Sequence, residues 1–379
     1  MLMQAASPSG QALLKASNRM AIVRHLRAHP GQSRVELANA LDLTKSTVSA
    51  LTRELIDEGW LLEREVLVTG DVGRRPTPLF VDPGRLLLLG TQVGIGHVRV
   101  VLTSLTGTVL AARSASYDTA LPVEACIQKL TRSMLAVAGR CSDAQRIIGI
   151  GVGLPGGVDQ ARDQLVFAPH VHWHQAPFGA LLREALQGTP LAGVPVFMQN
   201  DADVAALGES EFNPAPQADP LLLVLVGEGV GAGLVVGGRL LTGVRGLAGE
   251  VGHMVLQIDG PRCSCGRRGC AEALIGSRAL LREDGSAPPA AAVKQAGRYL
   301  GVLLQNLAVA YDPACIVLGG PAMALGDALL APVRDTLREY AQAAGLPEPT
   351  LRVARFGADA IAVGAAALAG YRLTQPTLG

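Results

Sequence analysis

Four residues in a short stretch carry the most specific chemistry of this 379-residue chain: His253, Cys263, Cys265 and Cys270. One imidazole and three thiolates make a four-ligand set suited to tetrahedral zinc, and a closed set is structural rather than catalytic. Gly260, Gly266 and Gly269 allow the tight turns that fold the thiolates onto one centre. Arg262, Arg267 and Arg268 would offset thiolate charge. A redox role is disfavoured, because Cys-x-Cys geometry strains a disulfide. Glu250 and Glu272 flank the ligands, so the metal would fix loops that carry two carboxylates. Carboxylates accept strongly from hydroxyl groups, which makes the metal a scaffold for a polyol site.

A second candidate is Gln199-Asn200-Asp201-Ala202-Asp203, which follows the apolar stretch 194–198. An Asn-Asp pair at the C-terminal end of a strand faces the crevice in open α/β sheets. Asp201 could accept from a sugar hydroxyl or take its proton as a general base, and Asn200 can both donate and accept. A turn or helix N-cap explains the same residues. The Gly-rich segment 227–233 lets backbone N–H groups approach a phosphate or a sugar, although tight strand–turn–strand packing would use the same glycines. Cys126, Cys141 and Cys315 stand alone in apolar surroundings and read as core.

These residues need a frame. Apolar runs at 86–93, 98–102 and 108–111 predict a three-stranded meander, and 221–226, 232–236 and 239–241 repeat it. Each set is followed by helical sequence and βα units, such as 147–152 and 194–198. Duplicated meanders with crossover helices predict two lobes around a cleft, the grammar of the actin-like sugar-kinase fold.

The N-terminal part has a different texture. A helix is predicted over 18–29, with Ile22, Val23 and Leu26 on one face and Pro30-Gly31 as its stop. Ser33 and Glu36 form a capping box for a second helix carrying Val35, Leu37 and Leu41. Thr44 caps a third, where Val48, Leu51 and Leu55 recur, and Gly59 ends it. This is helix-turn-helix spacing. The third helix offers Lys45, Ser46, Thr47 and Ser49 to groove edges and phosphates of DNA. Apolar stretches at 60–62, 66–68 and 79–81 around Gly70 and Gly73 predict a wing. There Arg74 and Arg75, held by Pro76, suit a narrow minor groove, although a solvated linker would explain the same pair and a protein-binding trihelical module the same helices.

Charge distribution agrees. Residues 1–50 carry six Lys/Arg against two acids, whereas 51–69 carry two bases against five acids. Net charge is +1, which excludes a global field for polyanions, and 3% aromatic content argues against single strands bound by stacking. Hydrophobic content of 49% excludes general disorder. The start, MLMQAASPSG, lacks the basic and apolar regions of a signal peptide, and no apolar run reaches the ~18 residues of a membrane span. A soluble cytoplasmic protein without disulfides is expected. Asp82-Pro83-Gly84 marks the expected boundary, with a winged helix over 1–82 and the two-lobed domain over 83–379.

Residues 250–272 resemble the signature of the ROK family, which comprises repressors and sugar kinases of actin-like fold. Segments 153–159, 199–209, 227–233, 246–253 and 318–320 resemble further family motifs in order. The winged helix, including Gly73-Arg74-Arg75-Pro76, is similar to the regulator branch, in particular xylose- and glucose-responsive repressors. The resemblance implies that Asn200, Asp201, Glu250, His253 and Glu272 bind a monosaccharide. It implies that Asp201 matches the kinases' catalytic base, and that His253, Cys263, Cys265 and Cys270 hold zinc. One departure matters. Family kinases open their first hairpin with Asp-x-Gly-Gly-Thr for metal-bound ATP, and here the stretch is Gln92-Val-Gly-Ile-Gly96. Without that carboxylate, positioning of Mg²⁺ and phosphate should fail. His170 is a second departure, since many relatives carry Asn there. The implied function is a sugar-responsive repressor that binds operator DNA as a homodimer or dimer of dimers, with Asp201 a vestigial base. The alternatives are an active ATP-dependent hexose kinase with an added DNA-binding head, and a repressor controlled by a protein partner.

Overall fold

The computed structural model describes residues 10–64, 77–213, 218–280 and 288–375. Three helices open the chain: α1 (Gly10–Ala28), α2 (Arg34–Ala40) and α3 (Lys45–Asp57). The capping box is present: Ser33 N–H donates to the Glu36 carboxylate at 2.7 Å, and Glu36 N–H donates to Ser33 Oγ at 3.3 Å. Thr44 Oγ1 accepts from Thr47 N–H and starts α3. Ile22, Val23, Leu26, Leu37, Val48, Leu51 and Leu55 are buried together. α1 begins at Gly10 rather than at residue 18, and its added turns reach α3 through the Lys15–Glu54 ion pair, while Arg19 pairs with Glu58 just past the end of α3. Val35 points to solvent, since the short α2 buries only Leu37 and Ala38. β1 (Leu61–Glu63) and β2 (Leu79–Val81) pair antiparallel as the base of the wing. Its expected tip, with 66–68, Gly70, Gly73, Arg74 and Arg75, lies outside the described residues.

At 82–85 the chain passes directly into the next strand. The Asp82 carboxylate accepts from Gly84 N–H at 2.7 Å, and one apolar cluster runs from Ile22 and Leu55 through Leu86 to Val204 and Ala366.

β3 (Leu86–Gly94), β4 (His97–Ser104) and β5 (Val109–Ser116) form the first meander. They are followed by α4 (Val123–Ala138) and β6 (Arg146–Leu154). A small antiparallel sheet of β7 (Gly157–Asp159), β8 (Gln164–Ala168) and β9 (Trp173–Ala176) follows, which the sequence patterns did not predict. Next come α5 (Phe178–Ala185), β10 (Val196–Asn200) and α6 (Asp201–Glu211). The second meander is β11 (Leu221–Val226), β12 (Val230–Val236) and β13 (Arg239–Leu240). The short helices α7 (Ala271–Ile275) and α8 (Ser277–Leu280) lead to α9 (Ala290–Tyr311), β14 (Cys315–Gly319), α10 (Asp327–Ala344), β15 (Leu351–Val353) and α11 (Ala360–Thr374).

The two large sheets have equivalent orders, β10-β6-β3-β4-β5 and β13-β12-β11-β14-β15, each a meander extended by two parallel strands. α11 packs on the first sheet and α6 on the second. The two helices meet backbone to backbone: a Cβ on Gly364 would lie 2.0 Å from Val204 O. Cys126 and Cys315 are buried as expected, whereas Cys141 is half-buried. Among the described residues no helix is long and apolar enough to cross a membrane.

Candidate ligand site and its cysteine–histidine cluster

His253, Cys263, Cys265 and Cys270 converge, with their ligand atoms within 4.8 Å of one another. Cys265 Sγ and Cys270 Sγ are 3.8 Å apart, and Cys263 Sγ lies 3.6 Å from His253 Nδ1. Zinc–sulfur bonds of about 2.3 Å at tetrahedral angles put ligand atoms about 3.5–3.8 Å apart, so the donor set fits such an ion in both chemistry and size. The fold supplies the turns: Gly266 and Gly269 take positive φ, and a Cβ on Gly269 would strike Gln257 O at 1.5 Å. The sequence could place these residues on loops, but only the folded chain shows His253 reaching the cysteines with Nδ1. Its Nε2 then faces the Glu250 carboxylate at 3.8 Å. One ring can therefore hold a metal on one edge and meet a ligand on the other.

Glu272, on α7, sits between this cluster and the cleft. Its Oε1 accepts from Ser264 Oγ at 2.6 Å and lies 3.7 Å from His170 Nε2, while Oε2 accepts from Val230 N–H at 3.4 Å. Burial raises its pKa, but hydrogen bonds from His170 and Ser264 and the nearby His253 and His170 charges outweigh that and hold it at about 2. Burial pushes Glu250 up to about 7, helped by the Asp201 and Glu272 charges. Burial pushes Asp201 up to about 6, against donation from Ala202 N–H and the His170 charge. Asp203 is raised well above its usual range by burial and by Asp201 and Glu250, with only its Gln199 hydrogen bond opposing. One carboxylate is thus held as an anion while two are raised toward neutrality, so the set could accept from hydroxyl groups with strengths tuned by environment.

Asn200 behaves as the plainer alternative required: its Oδ1 accepts from Ala202 N–H and Asp203 N–H as the cap of α6, and its Nδ2 donates to Gly156 O at 3.0 Å. The same amide also hydrogen-bonds the Asp201 carboxylate, so Asn200 holds the neighbouring acid in place as well as capping the helix. Gly229 faces the same space, since a Cβ there would lie 3.2 Å from Glu272 Oε2 and 3.7 Å from His170 Nε2. Ser264 escaped the sequence reading, although its place between two ligand cysteines was the available signal.

The first hairpin differs. Gln92 lies on β3 opposite Arg99, and Arg99 is held by Asp359 through two bonds of 2.7 and 3.2 Å. The His97 ring covers Gly94, where a Cβ would meet it at 2.1 Å. On the head, Lys45 and Ser46 are exposed, whereas Thr47 and Ser49 are half-buried. Thr44 Oγ1 links Ser46 Oγ (2.9 Å) and Thr47 Oγ1 (2.8 Å) at the start of α3.

Comparison with known proteins adds the relationship. The family model described as "ROK family" matches residues 88–372, and that described as "Winged helix-turn-helix DNA-binding" matches 16–61. A putative xylose repressor from Caldicellulosiruptor sp. (strain Rt8B.4) is 30% identical, over 85% of this chain and 88% of its own. A solved ROK family transcriptional regulator, described as a homologue of the E. coli MLC protein, superposes with a TM-score of 0.76 at 25% identity, covering 96% of this chain and 97% of its own. A ROK glucokinase from Streptomyces griseus, solved with glucose and AMPPNP, superposes with a TM-score of 0.66 at 26% identity, covering 75% of this chain and 99% of its own. A winged helix-turn-helix followed by two actin-like lobes, matched by the family model over most of its length, makes this chain a member of the ROK family.

Proposed function

We propose that this protein is a sugar-responsive DNA-binding repressor. The observation that carries the proposal is the union, on one chain, of a helix-turn-helix head with the Glu250–His253–Glu272 site, a union that the repressor relative's likeness spans. Asn200, Asp201, Glu250, His253 and Glu272 bind a monosaccharide, with xylose the first candidate because several relatives are xylose repressors. The ion is zinc, held by His253, Cys263, Cys265 and Cys270, and it fixes the loop that presents Ser264 and Glu272. Lys45, Ser46, Thr47 and Ser49 read the major groove, and Arg74 and Arg75 reach the minor groove. The domains divide at 82/83, the protein works in the cytoplasm, and a homodimer or dimer of dimers bridges two half-sites.

Asp201 is a vestigial base on this reading. Gln92 supplies no anion for Mg²⁺, which supports loss of phosphoryl transfer. A second reading, an ATP-dependent hexose kinase with an added head, draws on the retained Asp201 and on the glucokinase likeness.

Fluorescence anisotropy on DNA upstream of the protein's own gene tests the proposal. Xylose and glucose are added in turn to the protein–DNA complex. A change of operator affinity by either sugar is the expected result. Tight operator binding that ignores both sugars would remove them as effectors and favour control by a protein partner. ADP release with glucose, lost in Asp201→Asn, would instead establish the kinase.

A further inference from the structure

The two helices packed between the sheets end beneath the DNA-reading head. α6 starts at the cleft, where Asn200 caps it and Asp201 is its first residue. Every residue from Ala202 to Glu211 is buried, so the helix is gripped along its whole length. At its far end the Glu211 carboxylate forms an ion pair with the Arg27 guanidinium of α1, and these side chains are only 9% and 13% exposed. One turn earlier on α1, Arg24 donates to Thr374 O in the last turn of α11. α1 in turn is tied to α3 by Lys15–Glu54 and to its C-cap by Arg19–Glu58. A line of contacts therefore runs from the cleft, along α6, through Arg27, to the helix that faces DNA.

A buried ion pair is weak evidence for stability, because apolar residues of similar volume often pack as well. What it adds is direction: its energy depends on the placement of both partners, so a small shift of one helix is felt by the other. We propose that Arg27 and Glu211 are positioning residues that couple occupancy of the Asn200–Asp201 end of α6 to the placement of the DNA-binding head. The proposal rests on the sugar-responsive repressor reading above. Coupling of this kind is reciprocal, so operator DNA bound at α3 changes sugar affinity through the same pair.

The test uses full-length, metal-loaded protein and the upstream DNA fragment. Operator affinity is measured without sugar, with xylose and with glucose, for wild type, Arg27→Lys and the apolar pair Arg27→Met/Glu211→Leu. Wild type is expected to shift about tenfold with one sugar, within the usual range of allosteric coupling. The apolar pair keeps its sugar affinity but loses most of that shift, and Arg27→Lys, which keeps the charge, retains much of it. An apolar pair that folds, binds sugar and shifts as wild type does would overturn the proposal. Should the apolar pair fail to fold, Glu211→Gln carries the same expectations. A wild type that binds operator but is deaf to both sugars counts against the sugar-responsive reading, and amide hydrogen exchange without sugar then decides the coupling. Exchange must rise in the apolar pair at 200–206 as well as at 18–28; a rise confined to 18–28 would overturn it.

Discussion

The two meanders are built alike and finish differently. Both place a hairpin at the head of a five-stranded sheet of equivalent order. At the tip of the first, the His97 ring lies on Gly94 and Arg99 is locked to Asp359. At the tip of the second, Gly229 lets Glu272 and His170 come close, since a Cβ there would lie 3.2 Å from Glu272 Oε2. The frame sets where a tip sits, and the residues on the tip set whether it can hold a ligand. Among the described residues, only the second is backed by a cluster that could hold a metal ion. The two tips are therefore chemically asymmetric although the architecture is repeated.

The largest expected effect attacks the open side. Cys265→Ser removes one of four ligands, and roughly a hundredfold loss of sugar affinity is expected alongside loss of the metal. Calorimetry and metal analysis on the same sample check this, and retained sugar affinity in metal-free protein would show that the cluster does not brace the site. Next is Glu272→Gln, which removes the fixed anion facing Ser264 and His170. Hydrogen bonds to charged groups contribute about 1.5–3 kcal/mol, so affinity should fall roughly 10- to 100-fold with the metal retained.

A smaller effect is a pH dependence. Asp201 has a pKa raised to about 6, and as an acceptor for hydroxyls it must be ionised to bind. Sugar affinity should then fall as pH drops through that value; Asp201 alone accounts for about fourfold between pH 7.5 and 5.5, and Glu250, raised to about 7, adds to the fall. Binding that is flat over this interval would remove Asp201 from the contact set. Folding stability runs the other way for this group: burial raises its pKa, so the folded state favours the proton, and that contribution is lost as pH rises through about 6. The smallest effect concerns the closed side. His97 is exposed, and His97→Ala should leave both sugar and operator affinity within about twofold of wild type. A large loss there would mean that the first tip is also a working site, and the asymmetry would fall.

How much of this was legible depended on the range of the forces involved. The caps Ser33 and Thr44, the cysteine spacing and the alternation of apolar runs are local, and the helices, the strands and the metal-ligand set follow from them. Duplication of the meander was readable because each copy carries its own pattern. The sheet of β7–β9 was not, because its strands are short and its pairing is set by neighbours. Nor was the orientation of the His253 ring, with Nδ1 toward sulfur and Nε2 toward Glu250.

By itself the sequence determined residue types at fixed spacing: four residues able to hold a metal ion, two flanking carboxylates, a helix-turn-helix pattern and an amide, Gln92, where an acid would stand. Tertiary structure alone decided which carboxylate is held as an anion, since Glu272 and Glu250 differ only in their surroundings. It also decided that Arg27 meets Glu211 across 184 positions of chain. The reason is the same in both cases. Desolvation and charge pairing depend on distances through space, and no local pattern fixes the distance between residues that the chain brings together only on folding.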